Sequence, residues 1–155
     1  MKLKFKLIAL IAVLHTTNAG AESIQFQCGG MSGYSYYAAE GMVPDKQAGW
    51  SNDAISNGEM VIDLDGDTGE VEYRYKDATG KWYSPSNEGG DVVLLTMDDT
   101  DLSFQILAMF PAGNTVEILT ITEFDGETAK LIYANSRNTS MSANSKLMVG
   151  DCTVH

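Results

Sequence analysis

The residues best suited to binding a ligand lie in two segments, GYSYY and GWSND. The first supplies Tyr34, Tyr36 and Tyr37, and the second supplies Trp50 and Asp53. Aromatic rings beside hydrogen-bonding groups are typical of pockets that hold small polar ligands such as sugars. These residues form the predicted ligand-binding site. The alternative is structural, because tyrosine is common in ordinary strands and Trp50 would then pack beneath its own loop.

Catalytic chemistry has few candidates in this chain. Histidine occurs only as His15 and His155, which excludes most nucleophile–base pairs and imidazole metal sites. A pair of carboxylates could act as general acid and base, but none of the 21 acidic residues stands out by its spacing. We therefore expect a non-catalytic protein without a cofactor, and a carboxylate-dependent glycan hydrolase is an alternative.

The segment DLDGDTGE resembles a calcium loop, because Asp63, Asp65 and Asp67 alternate. An EF-hand loop would continue with glycine at its sixth position and glutamate at its twelfth, where this chain has Thr68 and Arg74. A hairpin turn is the preferred interpretation, since Asp and Gly favour such turns. Calcium binding by the three aspartates is the alternative.

The segment CGGMSGYSYY raises the question of a phosphate-binding loop. Such a loop requires a helix directly after its glycines, whereas YSYYAA is typical of a strand. We therefore expect Gly29, Gly30 and Gly33 to let the chain turn. Cys28 and Cys152 are predicted to form one disulfide. An intermolecular bridge or two free thiols are the alternatives.

The first residues predict export. Three early lysines, an apolar run over residues 7–14, and Ala19 and Ala21 in an A-x-A arrangement are typical of a signal peptide covering residues 1–21. The run is too short to span a bilayer, so no membrane insertion is expected. Residues 22–155 would form one domain in the periplasm or the medium. Removal of three lysines leaves seven basic and 21 acidic residues, a net charge of −14, which disfavours nucleic acid as a partner.

Alternating apolar residues predict strands. EMVIDL and VEYRYK each have one apolar and one polar face and predict a hairpin, and SFQILAMF alternates in the same way. DVVLLTM is apolar on both faces, which predicts a strand covered on two sides. Two stretches, residues 40–58 and 77–90, lack this pattern and are expected to be loops, with a short helical turn near residues 44–48.

The resulting fold is all-β, an antiparallel meander of about eight or nine strands with little helix. A barrel is favoured over a sandwich, because a disulfide between the first and last segments would join the two edges that closure brings together. GYSYY, GWSNDAIS and FPAGNTVEI resemble segments of small exported bacterial proteins of uncharacterised function. The resemblance implies that these pieces belong to one domain, and it implies no activity.

The combined expectation is an exported, acidic, non-catalytic β-domain. It would bind an unknown small molecule or an envelope protein through its loop-bearing end. A structural or protein-interaction module of the cell envelope is the alternative, for which we expect an exposed apolar patch or sheet edge.

Overall fold

The computed structural model describes residues 23–77, 79–98 and 103–155. The predicted signal peptide, residues 1–21, lies outside these ranges. Nine strands and three short 3-10 turns, Asp45–Gln47, Ser86–Glu88 and Pro111–Gly113, make up the secondary structure. The strands are β1 Ser23–Tyr37, β2 Gly49–Asp65, β3 Val71–Lys76, β4 Trp82–Tyr83, β5 Asp91–Asp98, β6 Ser103–Phe110, β7 Thr115–Thr122, β8 Thr128–Asn138 and β9 Ala143–Val154. Within these residues, no helix has the length and apolar character required to cross a bilayer.

All nine strands belong to one antiparallel sheet in the order β4-β3-β2-β1-β9-β8-β7-β6-β5, curled into a half-barrel. The predicted all-β antiparallel fold with little helix is therefore confirmed. Pairing of β1 with β9 joins the two ends of the chain in the middle of the sheet. The edges are β4, which has two residues, and β5.

The disulfide between Cys28 and Cys152 lies at this central pairing, where the two residues face each other in register. The predicted pairing is present, but the reasoning that linked it to barrel closure was wrong. The bridge joins neighbouring strands in the centre of the sheet, whereas the edges lie at β4 and β5. Both cysteines are buried in the core.

The glycines after Cys28 do not form a turn, contrary to expectation. β1 runs through them as one strand of 15 residues, with a bulge between Gly29 and Met31. Gly30 occupies this bulge with a φ of 60°, a conformation that glycine adopts without strain. A side chain at Gly33 would place its Cβ 2.1 Å from the Leu147 carbonyl oxygen, so glycine permits the close approach of β9.

The second half of the predicted loop over residues 40–58 is also a strand. β2 begins at Gly49 and pairs with β1 from that residue onward. Both faces of this part of β2 carry polar side chains, so its sequence lacks the apolar alternation that marks the rest of the strand. The predicted helical turn near residues 44–48 is present as the 3-10 turn Asp45–Gln47.

The core lies on the concave face of the sheet. The predicted hairpin forms from β2 and β3, with Ile62 opposite Tyr73 and both side chains fully buried. Phe104, Ile106 and Ala108 of β6 are buried on the same side, as their alternation predicts. Burial of these side chains is the main favourable contribution to folding.

β5 was predicted to be covered on two sides, and this was wrong. It is an edge strand, and Val93 and Leu95 are each 45% exposed. Its continuous apolar run arises because the outward-facing residues are apolar as well. The same property extends over much of the outer face of the sheet.

On the outer side of six adjacent strands, β6, β7, β8, β9, β1 and β2, one continuous patch carries no charged side chain. We call it the uncharged outer face and define it as every second residue of 105–109, 116–120, 132–136, 145–149, 32–36 and 50–54. None of these residues is buried. The adjoining parts of the outer side, by contrast, carry the ion pairs Arg74–Asp63, Lys76–Glu59 and Lys130–Asp151.

Candidate ligand-binding pocket

A pocket of about 710 Å³ opens on the concave side of the sheet. Strands β1, β2, β3, β7, β8 and β9 all contribute to its wall. Its lining combines aromatic, charged and amide side chains, among them Tyr37, Asp53, Tyr75, Glu117, Tyr133, Asn135, Arg137, Asn144 and Lys146. The volume is within the usual range for small-molecule sites, about 300–1,000 Å³.

Glu117 of β7 is the centre of a buried hydrogen-bond network in the pocket wall. Its side chain accepts hydrogen bonds from the hydroxyls of Tyr73 and Tyr133, the latter at 2.7 Å, and from the Asn135 amide at 2.9 Å. Glu117 and Asn135 are each 8% exposed. Burial, reinforced by the neighbouring Glu117 carboxylate, raises the pKa of Tyr73 and of Tyr133. The network therefore has fixed donors and acceptors.

A second polar cluster is centred on Asp53 of β2. The carboxylate accepts hydrogen bonds from the Ser35 hydroxyl at 2.5 Å and from the Lys146 ammonium at 3.0 Å. The Ser35 hydrogen bond lowers the pKa of Asp53, partial burial opposes this, and Lys146 lowers it further. Asp53 and Lys146 therefore form a partly buried ion pair between β2 and β9.

Arg137 of β8 adds a guanidinium group to the pocket lining. Its Nε donates a hydrogen bond to the Thr115 hydroxyl at 3.2 Å. Within the described ranges of the chain, no carboxylate lies within 4.0 Å of its guanidinium nitrogens. The remaining donors of the guanidinium can therefore bind an acceptor group of a ligand.

The predicted site residues separate onto the two faces of the sheet. Tyr37 and Asp53 line the pocket, whereas Tyr34, Tyr36 and Trp50 lie on the outer side. Asp53 also borders a shallow outer groove beside Tyr34. The five residues do not form one site, because successive residues of a strand point to opposite faces.

The position of Trp50 also differs from the alternative interpretation, in which its side chain would pack beneath its own loop. Its side chain is 69% exposed and does not pack beneath a loop. Tyr36 lies opposite Trp50 in the β1–β2 register, and the two ring centroids are 5.4 Å apart. Both aromatic residues belong to the uncharged outer face.

Sequence reasoning did not single out the residues that dominate the pocket: Glu117, Asn135, Arg137 and Lys146. A signal was present at Glu117, which shares a face with the core residues Leu119 and Ile121. A glutamate on a buried face requires hydrogen-bond partners. The neighbouring strand provides Tyr133 and Asn135, but this pairing depends on a register that one sequence does not specify.

Two of the three candidate calcium ligands, Asp63 and Asp65, use their carboxylates as acceptors for protein groups. Asp65 accepts hydrogen bonds from the backbone N–H groups of Asp67 at 3.0 Å and Thr68 at 2.8 Å, which shapes the β2–β3 turn. Asp63 accepts one from the Gln25 amide at 2.6 Å. In the part of the chain that the structure covers, no group of three or more His, Cys, Asp or Glu residues is arranged to hold a metal ion.

Four carboxylates line the pocket, Asp53, Glu59, Asp77 and Glu117, although the strand pattern sends most acidic residues outward. Their environments do not favour glycan hydrolysis. Side-chain hydrogen bonds lower the pKa values of Asp53, Glu59 and Asp77, whereas a general acid requires a raised one. Glu117 uses both of its oxygens as acceptors from Tyr73, Tyr133 and Asn135. The arrangement is suited to holding a polar molecule.

Comparison with known proteins adds no relative. No protein-family model, no curated protein sequence and no solved structure matches this chain. The functional argument therefore depends on the chain's own residues.

Proposed function

We propose that this protein is a non-catalytic binding protein of the cell envelope that holds a small polar ligand in its concave pocket. The observation that carries the proposal is the polar wall of the pocket, built around the buried Glu117 network. A buried carboxylate is costly unless it is fully hydrogen-bonded. Glu117 accepts hydrogen bonds from three donors on two strands. These bonds offset the free-energy cost of burying its carboxylate and fix the position of its side chain.

Fixed polar groups favour binding because less conformational freedom is lost when a ligand arrives. Ser35, Asp53 and Lys146 hold one another on one side of the pocket, and Glu117 and Asn135 do so on another. Tyr37 and Tyr75 add aromatic surface to the lining. This combination of rigid polar groups and aromatic rings supports recognition of a polar molecule with an apolar face, such as a sugar.

The charge arrangement suggests one feature of the ligand. Among the cations of the pocket, Lys146 pairs with Asp53 and Lys76 with Glu59, whereas Arg137 is free of carboxylate partners within the residues that the structure describes. A ligand with a carboxylate or another strong acceptor oxygen would satisfy the guanidinium in bidentate geometry. We therefore expect a polar ligand that carries at least one such group, for example a sugar acid.

The proposed location is the periplasm or the medium. The disulfide between Cys28 and Cys152 supports an oxidising compartment. The signal-peptide pattern of residues 1–21 supports export from the cytoplasm.

Thermal-shift measurements test the proposal. Glucose, galactose, N-acetylglucosamine, glucuronate, galacturonate, succinate and citrate form a defined panel. At least one compound should raise the melting temperature by about 3 °C or more at saturating concentration, because it binds the folded state. The shift should shrink in Arg137→Gln and persist in Arg74→Gln, in which an arginine of the outer face is changed. Equal shifts in the two variants would contradict a role for Arg137.

A further inference from the structure

We infer that the uncharged outer face is a self-association surface on which a second copy of this chain packs. The face covers three same-face positions on each of six strands, eighteen residues in all. The ion pair Lys130–Asp151 lies at the next outer positions of β8 and β9 and borders this face. A patch of eighteen neighbouring positions without a charge calls for a physical explanation, since exposed positions usually favour charge.

The centre of the face is an unbroken apolar row. Leu107, Ile118, Ala134, Leu147 and Tyr34 lie side by side on β6, β7, β8, β9 and β1. Ile118 is 38% exposed, Leu147 53% and Tyr34 58%. Exposed apolar side chains that are contiguous across several strands mark interaction surfaces, whereas isolated ones do not.

The area is near the amount that a dimer requires. Six strands about 4.8 Å apart, each with three same-face positions about 6.8 Å apart, cover roughly 600 Å². A standard protein interface buries about 800 Å² on each partner. The face alone therefore supplies most of a standard interface, and residues at its rim would add to the contact.

The composition matches an interface between proteins. Tyr34, Tyr36, Trp50 and Met109 belong to residue types enriched in interfaces, and charged residues are depleted from interface centres. Serine, threonine, asparagine and glutamine side chains are interspersed among the apolar ones. These groups can hydrogen-bond across a protein contact, whereas a lipid surface would leave them unsatisfied.

Charge favours a second copy at this face over contacts elsewhere on the chain. Two copies with a net charge of −11 each, or −14 after loss of the predicted leader, repel each other when acidic surfaces meet. The uncharged outer face lets them meet without opposing carboxylates. In a two-fold contact the same surface meets itself, and the tall Leu147 beside the small Ala134 allows the two sheets to interdigitate.

Sedimentation velocity tests the inference with protein expressed from the full chain and purified in the form that the cell produces. The wild type should change from monomer to dimer as its concentration rises through the micromolar range. Leu147→Lys should weaken the dimer by about tenfold or more, because the ammonium would be buried in the contact. This change makes the chain less acidic, so increased net repulsion could not account for the loss.

Thr153→Lys is the matched control. Thr153 lies on the same strand and is exposed, but it is outside the uncharged outer face. Its variant should dimerise like the wild type, and both variants should melt within a few degrees of it. The inference is overturned if the wild type stays monomeric at submillimolar concentration, or if Leu147→Lys dimerises normally. It is also overturned if the wild type is monomeric and cosediments with phosphatidylcholine vesicles, because the occupant would then be lipid.

Discussion

The two faces of this sheet treat polar groups in different ways. On the concave face, polar side chains form hydrogen-bonded clusters, the Glu117 network and the Asp53–Ser35–Lys146 cluster, beside the partly engaged guanidinium of Arg137. On the uncharged outer face, serine, threonine and amide side chains lie open among apolar ones. The difference is the basis of the two proposals made above: a preorganised pocket for a small molecule, and a broad surface for another copy of the chain.

Adjacent residues of one strand make the contrast concrete. Glu117 and Leu119 face the interior, while Val116 and Ile118 between and beside them are exposed. A change of one position along β7 therefore moves a substitution from the core and pocket side to the uncharged outer face. The predictions below use such neighbours.

The largest expected effect is loss of the disulfide on the concave face. Cys28→Ala combined with Cys152→Ala should lower the free energy of unfolding by about 4 kcal/mol, since the bridge closes a loop between residues 124 apart in sequence. Urea denaturation of the oxidised wild type and the variant measures the loss. Reduction of the wild type should reproduce it, and a loss below about 1 kcal/mol would show that β1–β9 pairing alone suffices.

Truncation on the two faces of β7 should have unequal effects. Leu119→Ala should lower the free energy of unfolding by about 2–5 kcal/mol, because Leu119 is fully buried and the change leaves a cavity. Ile118→Ala should lower the free energy of unfolding of the monomer, measured in dilute solution, by less than about 1 kcal/mol, because Ile118 is 38% exposed. Chemical denaturation of both variants measures the difference. Equal losses would contradict the assignment of the faces.

The buried tyrosines should make the folded state sensitive to alkali. Their pKa values are raised by burial, so above about pH 10 the unfolded chain loses tyrosine protons that the folded chain retains. Below that pH, these tyrosines should not make the free energy of unfolding depend on pH. Above it, the free energy of unfolding should fall by about 1.4 kcal/mol per pH unit for each tyrosine. Tyr133→Phe should reduce the slope by one tyrosine's share. An unchanged slope would place Tyr133 in solvent.

The smallest effect concerns the Asp53 cluster in acid. Its folded pKa is lowered, so the stability that it contributes is present above about pH 4 and is lost as the pH falls through the folded value. Asp53→Asn should cost at most about 1 kcal/mol at neutral pH, and the difference from wild type should narrow in acid. Asp67→Asn, at an exposed turn position, is the control and should behave like the wild type at both pH values.

The strands with one apolar face could be predicted from sequence, because their period of two directly reports burial. EMVIDL, VEYRYK and SFQILAMF all fold as that period predicts. GWSNDAIS was misassigned as a loop because polar residues occupy both of its faces there, and its strand conformation depends on pairing with β1. Tertiary pairing overrides the local pattern in such segments.

The candidate site was harder to predict than the fold. Tyr37 and Asp53, which line the pocket, were selected for their chemical types, and the same criterion selected Tyr34, Tyr36 and Trp50, which face outward. To separate the two sets, one must know which residues of β1 and β2 face inward beyond the Gly29–Met31 bulge, where the alternation shifts by one residue. The pocket's remaining residues come from β7, β8 and β9, distant in sequence, and only the register brings them together.

Native mass spectrometry of the protein purified from its own host, without a denaturing step, tests the central claim most directly, because one spectrum reports both faces. The wild type should carry a small-molecule adduct and should dimerise as its concentration increases. Arg137→Gln should lose the adduct and keep the dimer, and Leu147→Lys should lose the dimer and keep the adduct. An adduct that survives in Arg137→Gln but disappears in Leu147→Lys would contradict the division of roles between the concave pocket and the uncharged outer face.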